Sequence, residues 1–140
     1  KVFLGDCGSI PLGFLAGGLG WLGWHEGVWP AWFPAVAFAP FVIDASATLG
    51  IRLRRGERVW HAHREHYYQR MVRIGWGHRR TALVAYLLMG LSAALALALR
   101  TADGPAQAVG LATLALAFVV LMRAFDRRWT AFLARKEGDA

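Results

Sequence analysis

Charge falls along this chain in blocks separated by long uncharged runs. Eighteen uncharged residues lie between Asp6 and His25, nineteen between Arg80 and Arg100, and nineteen between Asp103 and Arg123. A fourth stretch, Gly27 to Ile51, holds a single charge, Asp44. At 1.5 Å rise per residue, about twenty apolar residues cross a hydrocarbon layer roughly 30 Å thick. A helix on the surface of a water-soluble domain would instead keep a polar face through such a run. The pattern predicts an all-α, polytopic membrane protein. Four transmembrane helices are expected at about 9–25, 30–50, 81–99 and 105–122, with a cytoplasmic Arg/His-rich loop at 51–80 and a cytoplasmic tail at 123–140.

The placement of the basic residues sets the expected orientation. Nine arginines lie between Gly50 and Arg80, and Arg123, Arg127, Arg128, Arg135 and Lys136 lie in the tail. Arg100 alone falls in the opposite connections, so fifteen of sixteen basic residues share one side once Lys1 is counted. The positive-inside rule assigns that side to the cytoplasm. An even number of spans returns both ends there. The net charge of +7 is thereby explained as topology, and a nucleic-acid partner is not expected. A single cysteine, Cys7, excludes an internal disulfide. The opening residues, beginning with Lys, lack the apolar core and cleavage site of a secretory signal, and the chain reads as part of a longer one.

Smaller features follow from the same frame. Trp24, Trp29 and Trp32 surround the outer loop, where amphipathic rings favour the membrane interface. Gly13 and Gly17 are four apart in "GFLAGGLG", a spacing that lets another helix come close. Ser9 is placed to cap the first helix, with Pro11 inside its first turn.

Several charges are not explained by topology. Asp6 precedes the first run, where a helix N-terminus favours anions; it is either a cap-like charge or an oxygen ligand for Mg²⁺ beside a phosphate. Asp44 interrupts an apolar stretch, and a carboxylate at the bilayer centre costs roughly 2.5 to 3.5 kcal/mol on insertion scales. It either pairs with Arg52 or Arg54 or begins a polar strip with Ser46 and Thr48 that faces the bundle interior. In "HAHREHYYQR", His63 and His66 share a face if the segment is helical, and Arg64 can grip a phosphate through two parallel N–H bonds. The same segment, with Trp60, Tyr67, Tyr68, Met71 and Val72, could also lie flat on a membrane surface.

Two motifs together, "KVFLGDCGSIPLGF" and "DASATLGIRLRRGERVWHAHREHYYQRMV", resemble the C-terminal portion of the polyprenyl-phosphate N-acetylhexosamine-1-phosphate transferases, membrane glycosyltransferase family 4. The resemblance covers residues 1 to about 75 and favours the O-antigen and surface-polysaccharide branch; Glu65 stands where that branch has serine, and Cys7 also departs from the pattern. It implies that the four helices are a partial copy of a larger bundle in a bacterial inner membrane. The implied reaction moves a sugar 1-phosphate from a UDP-N-acetylhexosamine to undecaprenyl phosphate, releasing UMP.

Carried onto these positions, the resemblance makes Asp6 catalytic and a ligand of Mg²⁺, with Mn²⁺ as a substitute. It makes His63 and His66 catalytic, and gives Arg64, Asp44 and Thr48 to substrate. The family also carries an aspartate pair in its N-terminal half, and no Asp-Asp occurs here, so these residues are expected to be inactive without that missing half. A homodimer is compatible with all of this. Two other classes compete. One is a non-catalytic membrane module that binds anionic lipid or a partner through its basic loop. The other is part of a transporter with Asp44 as an ion site, for which the uncharged spans offer almost no polar pathway.

Overall fold

A computed structural model describes residues 5–58 and 66–138, and among them every regular element is helical. We number the helices α1 (Gly5–His25), α2 (Phe33–Ala37), α3 (Ala39–Arg54), α4 (Tyr67–Met71), α5 (Gly77–Leu99) and α6 (Gly104–Gly138). A run of apolar residues with no water-facing side can satisfy its backbone N–H and C=O groups within one helix. The expected all-α class is thus observed.

Two helical stretches, Tyr67–Leu99 and Gly104–Gly138, are long and apolar enough to cross a membrane. Only 17% and 11% of their most apolar windows are buried, so neither is wrapped as the core helix of a soluble domain would be. They contain the expected runs 81–99 and 105–122. The Asp103 carboxylate accepts the Ala106 N–H at 2.9 Å and so caps the start of α6. That helix then continues for 35 residues, through Arg123 and the expected tail. Arg123 ends the apolar run but supplies no helix-breaking chemistry, and neither Gly nor Pro follows it until Gly138.

The first half differs more from expectation. α1 begins at Gly5, which puts Ser9 and Pro11 inside the helix rather than at its cap and first turn. The expected run 30–50 is interrupted at Phe38 (φ −99°, ψ 21°), between α2 and α3. Pro40 accounts for the break, since it has no N–H to offer the carbonyl four residues back at Val36. Trp29 is half-buried: its indole N–H donates to the Gly20 carbonyl at 3.0 Å and its ring stacks on Phe33. A side chain at Gly23 would overlap that indole and one at Gly20 would press on Pro34, so the close approaches in α1 fall there, while Gly13 and Gly17 face open space.

α5 is the hub, packing against α2, α3, α4 and α6. Between α4 and α5 the chain makes a wide π-type turn, Val72–Trp76, and changes direction at Gly75 (φ 105°) and Gly77 (φ 71°). Residues with a Cβ rarely adopt such angles. The turn frees the five-residue α4 from the axis of α5 and lets it lie beside α3 and α6.

Candidate functional site

The site is built on a row of three polar residues. Asp44, Thr48 and Arg52 recur every four residues, which places them on one face of α3. Thr48 and Arg52 are 1% and 5% exposed, so this face points inward, and Ser46 is exposed. The expected strip of Asp44, Ser46 and Thr48 is corrected accordingly, because strand-like alternation cannot line one side of a helix.

Asp44 Oδ1 accepts three contacts. The Tyr67 backbone N–H donates to it at 2.8 Å, the Thr48 hydroxyl at 3.3 Å, and His66 Nδ1 stands 3.5 Å away. Tyr67 is the first residue of α4, and His66 before it is extended (φ −59°, ψ 146°) with no capping bond from its own side chain. The first N–H groups of a helix lack partners within it. Asp44 therefore supplies from α3 the cap that α4 does not carry, with its negative charge at the positive end of that short helix.

Arg52 is turned the other way. Its Nε donates to Glu57 Oε2 at 2.8 Å and its Nη2 to the Arg58 carbonyl at 3.0 Å, while Arg55 Nη1 lies 3.5 Å from Glu57 Oε1. The hydrogen bond from Arg52 lowers the Glu57 carboxyl below its ordinary range. The expected alternative of Asp44 pairing with Arg52 is replaced by this clasp at the end of α3.

On its far side α4 meets α6. The Tyr67 hydroxyl donates to Asp126 Oδ2 at 3.1 Å, and Arg70 Nη1 donates to Asp126 Oδ1 at 3.4 Å. Tyr67 and Arg70 are three apart and both buried, so one face of α4 presents both donors. The Arg70 guanidinium lies 5.1 Å from the Tyr67 ring centre and 5.8 Å from that of Trp129, while Arg73 lies 5.0 Å from Trp129. Phe125 closes the junction against Tyr67.

Below α4 runs an apolar groove of about 460 Å³, walled by α3, α5 and α6 side chains such as Ile43, Val84, Leu88, Phe118 and Leu121. Asp44, Tyr67, Tyr68 and His78 also line it. The arrangement suits an amphiphile, with an apolar channel and polar groups grouped at the α4 junction.

The structure thus brings together Asp44, Thr48 and His66 among the expected site residues. His63 and Arg64 lie outside the described residues, and Asp6 falls in the first turn of α1 with its side chain outside what is described. Among the described residues no group of three His, Cys, Asp or Glu side chains could hold a metal ion. Both Asp126 oxygens and Asp44 Oδ1 are engaged in the contacts above. Sequence reasoning missed Tyr67, Arg70 and Asp126 as members of the site. The available signal was Asp126, a lone acid between Arg123 and Arg127. Comparison with protein-family models, with curated proteins and with solved structures finds no match for this chain.

Proposed function

We propose that this chain is the C-terminal membrane part of a sugar-1-phosphate transferase. It would act on a UDP-N-acetylhexosamine and undecaprenyl phosphate at the cytoplasmic face of a bacterial inner membrane, initiating surface-polysaccharide synthesis. The observation that carries the reading is an apolar groove lined in part by Asp44, the carboxylate that Thr48 and His66 contact. A polyprenyl chain needs an apolar channel, and its phosphate needs polar partners where that channel meets water. In this reading α5 and α6 cross the bilayer, α1 and the α2–α3 pair supply the other two spans, and the arginines at the α4 end face the cytoplasm.

The chemistry brings one phosphate against another, so negative charge must be neutralised as the phosphoryl group transfers. Arg64 would clamp the diphosphate. His66, whose Nδ1 stands 3.5 Å from the Asp44 carboxylate, would serve as acid or base. His63 would share that role or bind phosphate. Asp6 would hold Mg²⁺ or Mn²⁺, which supplies charge neutralisation when bound. The aspartate pair that the resemblance requires is not among these residues, so turnover belongs to this chain together with a segment that carries one.

The test is UMP release from UDP-N-acetylhexosamines and undecaprenyl phosphate by membranes holding the protein as its gene encodes it. Turnover that falls at least about 10²-fold in Asp6→Asn and in His66→Ala is expected, a typical loss for a key electrostatic or acid–base element. Absence of UMP release with N-acetylglucosamine, N-acetylgalactosamine and N-acetylfucosamine donors alike would refute it. A second reading, an anionic-lipid-binding module, is favoured by the pairing of Arg73 with Trp129 and Arg80 with Trp76. Undiminished lipid binding after alanine replacement of His63 and His66, with no transfer activity, would select it.

A further inference from the structure

Tyr67 is bonded at both of its ends. Its backbone N–H is held by Asp44 of α3 and its hydroxyl by Asp126 of α6, at 2.8 and 3.1 Å. The next residue back is His66, whose place beside Asp44 therefore depends on where Tyr67 sits. A helix of five residues has too few internal bonds to hold itself in water, so the position of α4 must come from its neighbours. α5 packs against α4, but the reversed turn at Gly75 and Gly77 takes α4 off the axis of α5, so the hydrogen bonds from α3 and α6 add the directional holds.

We propose that Asp126 is a positioning residue that fixes α4 through Tyr67 and Arg70, and thereby sets His66 against Asp44. Three features single out Asp126. Each of its carboxylate oxygens takes a different donor, so it resists both rotation and sliding of α4. Both donors are buried, Tyr67 at 8% exposure and Arg70 at 6%, and a buried donor deprived of its acceptor is costly. It also stands among Arg123, Arg127 and Arg128 on its own helix, yet forms an ion pair with Arg70 of α4. Asp126 touches no reacting group in this scheme. It acts on the reaction only through α4, by way of Tyr67 and Arg70.

The inference rests on the transferase reading for its consequence in catalysis and on geometry for the rest, so its test has two arms. In the protein as encoded, reconstituted in lipid nanodiscs, hydrogen exchange of the Tyr67 amide is measured beside kcat and KM for UMP release. Asp126→Ala is expected to speed exchange at Tyr67 by about tenfold or more and to lower kcat by about 10²-fold, the scale of a misplaced catalytic group, while KM for the UDP-sugar changes less than about threefold. Asp126→Glu should recover part of both losses. Tyr67→Phe combined with Asp126→Ala should cost little more than Asp126→Ala alone, since Asp126→Ala already removes the acceptor of the Tyr67 hydroxyl. Asp126→Asn, nearly the same shape, guards against misfolding of the alanine variant and should fall between wild type and Ala. Unchanged exchange in Asp126→Ala and Asp126→Asn overturns the proposal, as does a loss of kcat with no rise in exchange. If wild type releases no UMP, the transferase reading fails while the exchange arm still decides whether Asp126 positions α4.

Discussion

Replacing Asp44 by alanine removes the acceptor that holds the start of α4, and the structure allows the loss to be sized. The Tyr67 N–H lies 2.8 Å from a carboxylate oxygen whose side chain is only 16% exposed, so solvent screens it little. Hydrogen bonds to charged groups contribute about 1.5 to 3 kcal/mol. The Thr48 bond, at 3.3 Å, adds a fraction of that, and His66 at 3.5 Å adds little while its ring is neutral. Asp44→Ala should therefore loosen α4 by about 2 to 3 kcal/mol, which is about 30- to 150-fold in its opening equilibrium. Asp44→Asn keeps an oxygen acceptor but loses the charge, and about half the effect should remain, roughly 5- to 10-fold. Amide hydrogen exchange at Tyr67, which reports local opening, measures both. Exchange in Asp44→Ala within twofold of wild type would show that α4 is held by something else. Equal effects of Asn and Ala would show that charge, rather than an acceptor in place, is what matters.

Other outcomes can be stated more briefly. The Glu57 carboxyl is lowered by Arg52, so its contribution to the clasp is present above the ordinary carboxylate pKa and is lost as pH falls through the lowered value. The NMR signal of the Arg52 Nε–H should thus shift on acidification in wild type, and in Glu57→Gln it should show no such pH dependence; a wild-type profile in Glu57→Gln would contradict the clasp. Gly75→Ala forces a Cβ into φ 105°, and a cost of about 1 kcal/mol or more should appear as a lower Tm in detergent. Ala at Gly50, where φ is not reversed, should not lower Tm by more than a degree or two if strain at Gly75 is the cause.

The parts of the fold written in local pattern were legible. Nineteen uncharged residues before Arg100 correspond to α5, and nineteen after Asp103 correspond to the first half of α6. Asp44 and Thr48, one helical turn apart, were expected together and are hydrogen-bonded. The break at Phe38 was not foreseen, although Pro40 was in plain view, because hydropathy averages over a proline while a helix cannot. Nor was the role of Tyr67. It appeared as one aromatic in an amphipathic pattern, and its partners are its backbone N–H acceptor 23 residues earlier and a carboxylate 59 residues later. Pairings across such distances leave no periodic trace. Asp126 was hidden for the opposite reason, since a strongly basic tail invites reading by its sum rather than by its exception.

The length of α6 has a mechanical consequence. Its 35 residues extend about 52 Å, some 20 Å more than a hydrocarbon layer is thick, so in the proposed membrane setting the helix would stand out of the bilayer as a stiff mast. Asp126 is four residues beyond Met122, the last residue of the uncharged run, and in that setting would lie near the level where the mast leaves the lipid. Any tilt of α6 that accommodates a thinner or thicker membrane swings that level sideways. Lipid composition would then be felt at α4 as a displacement, and bilayers of graded acyl-chain length offer a way to move His66 without altering a single residue.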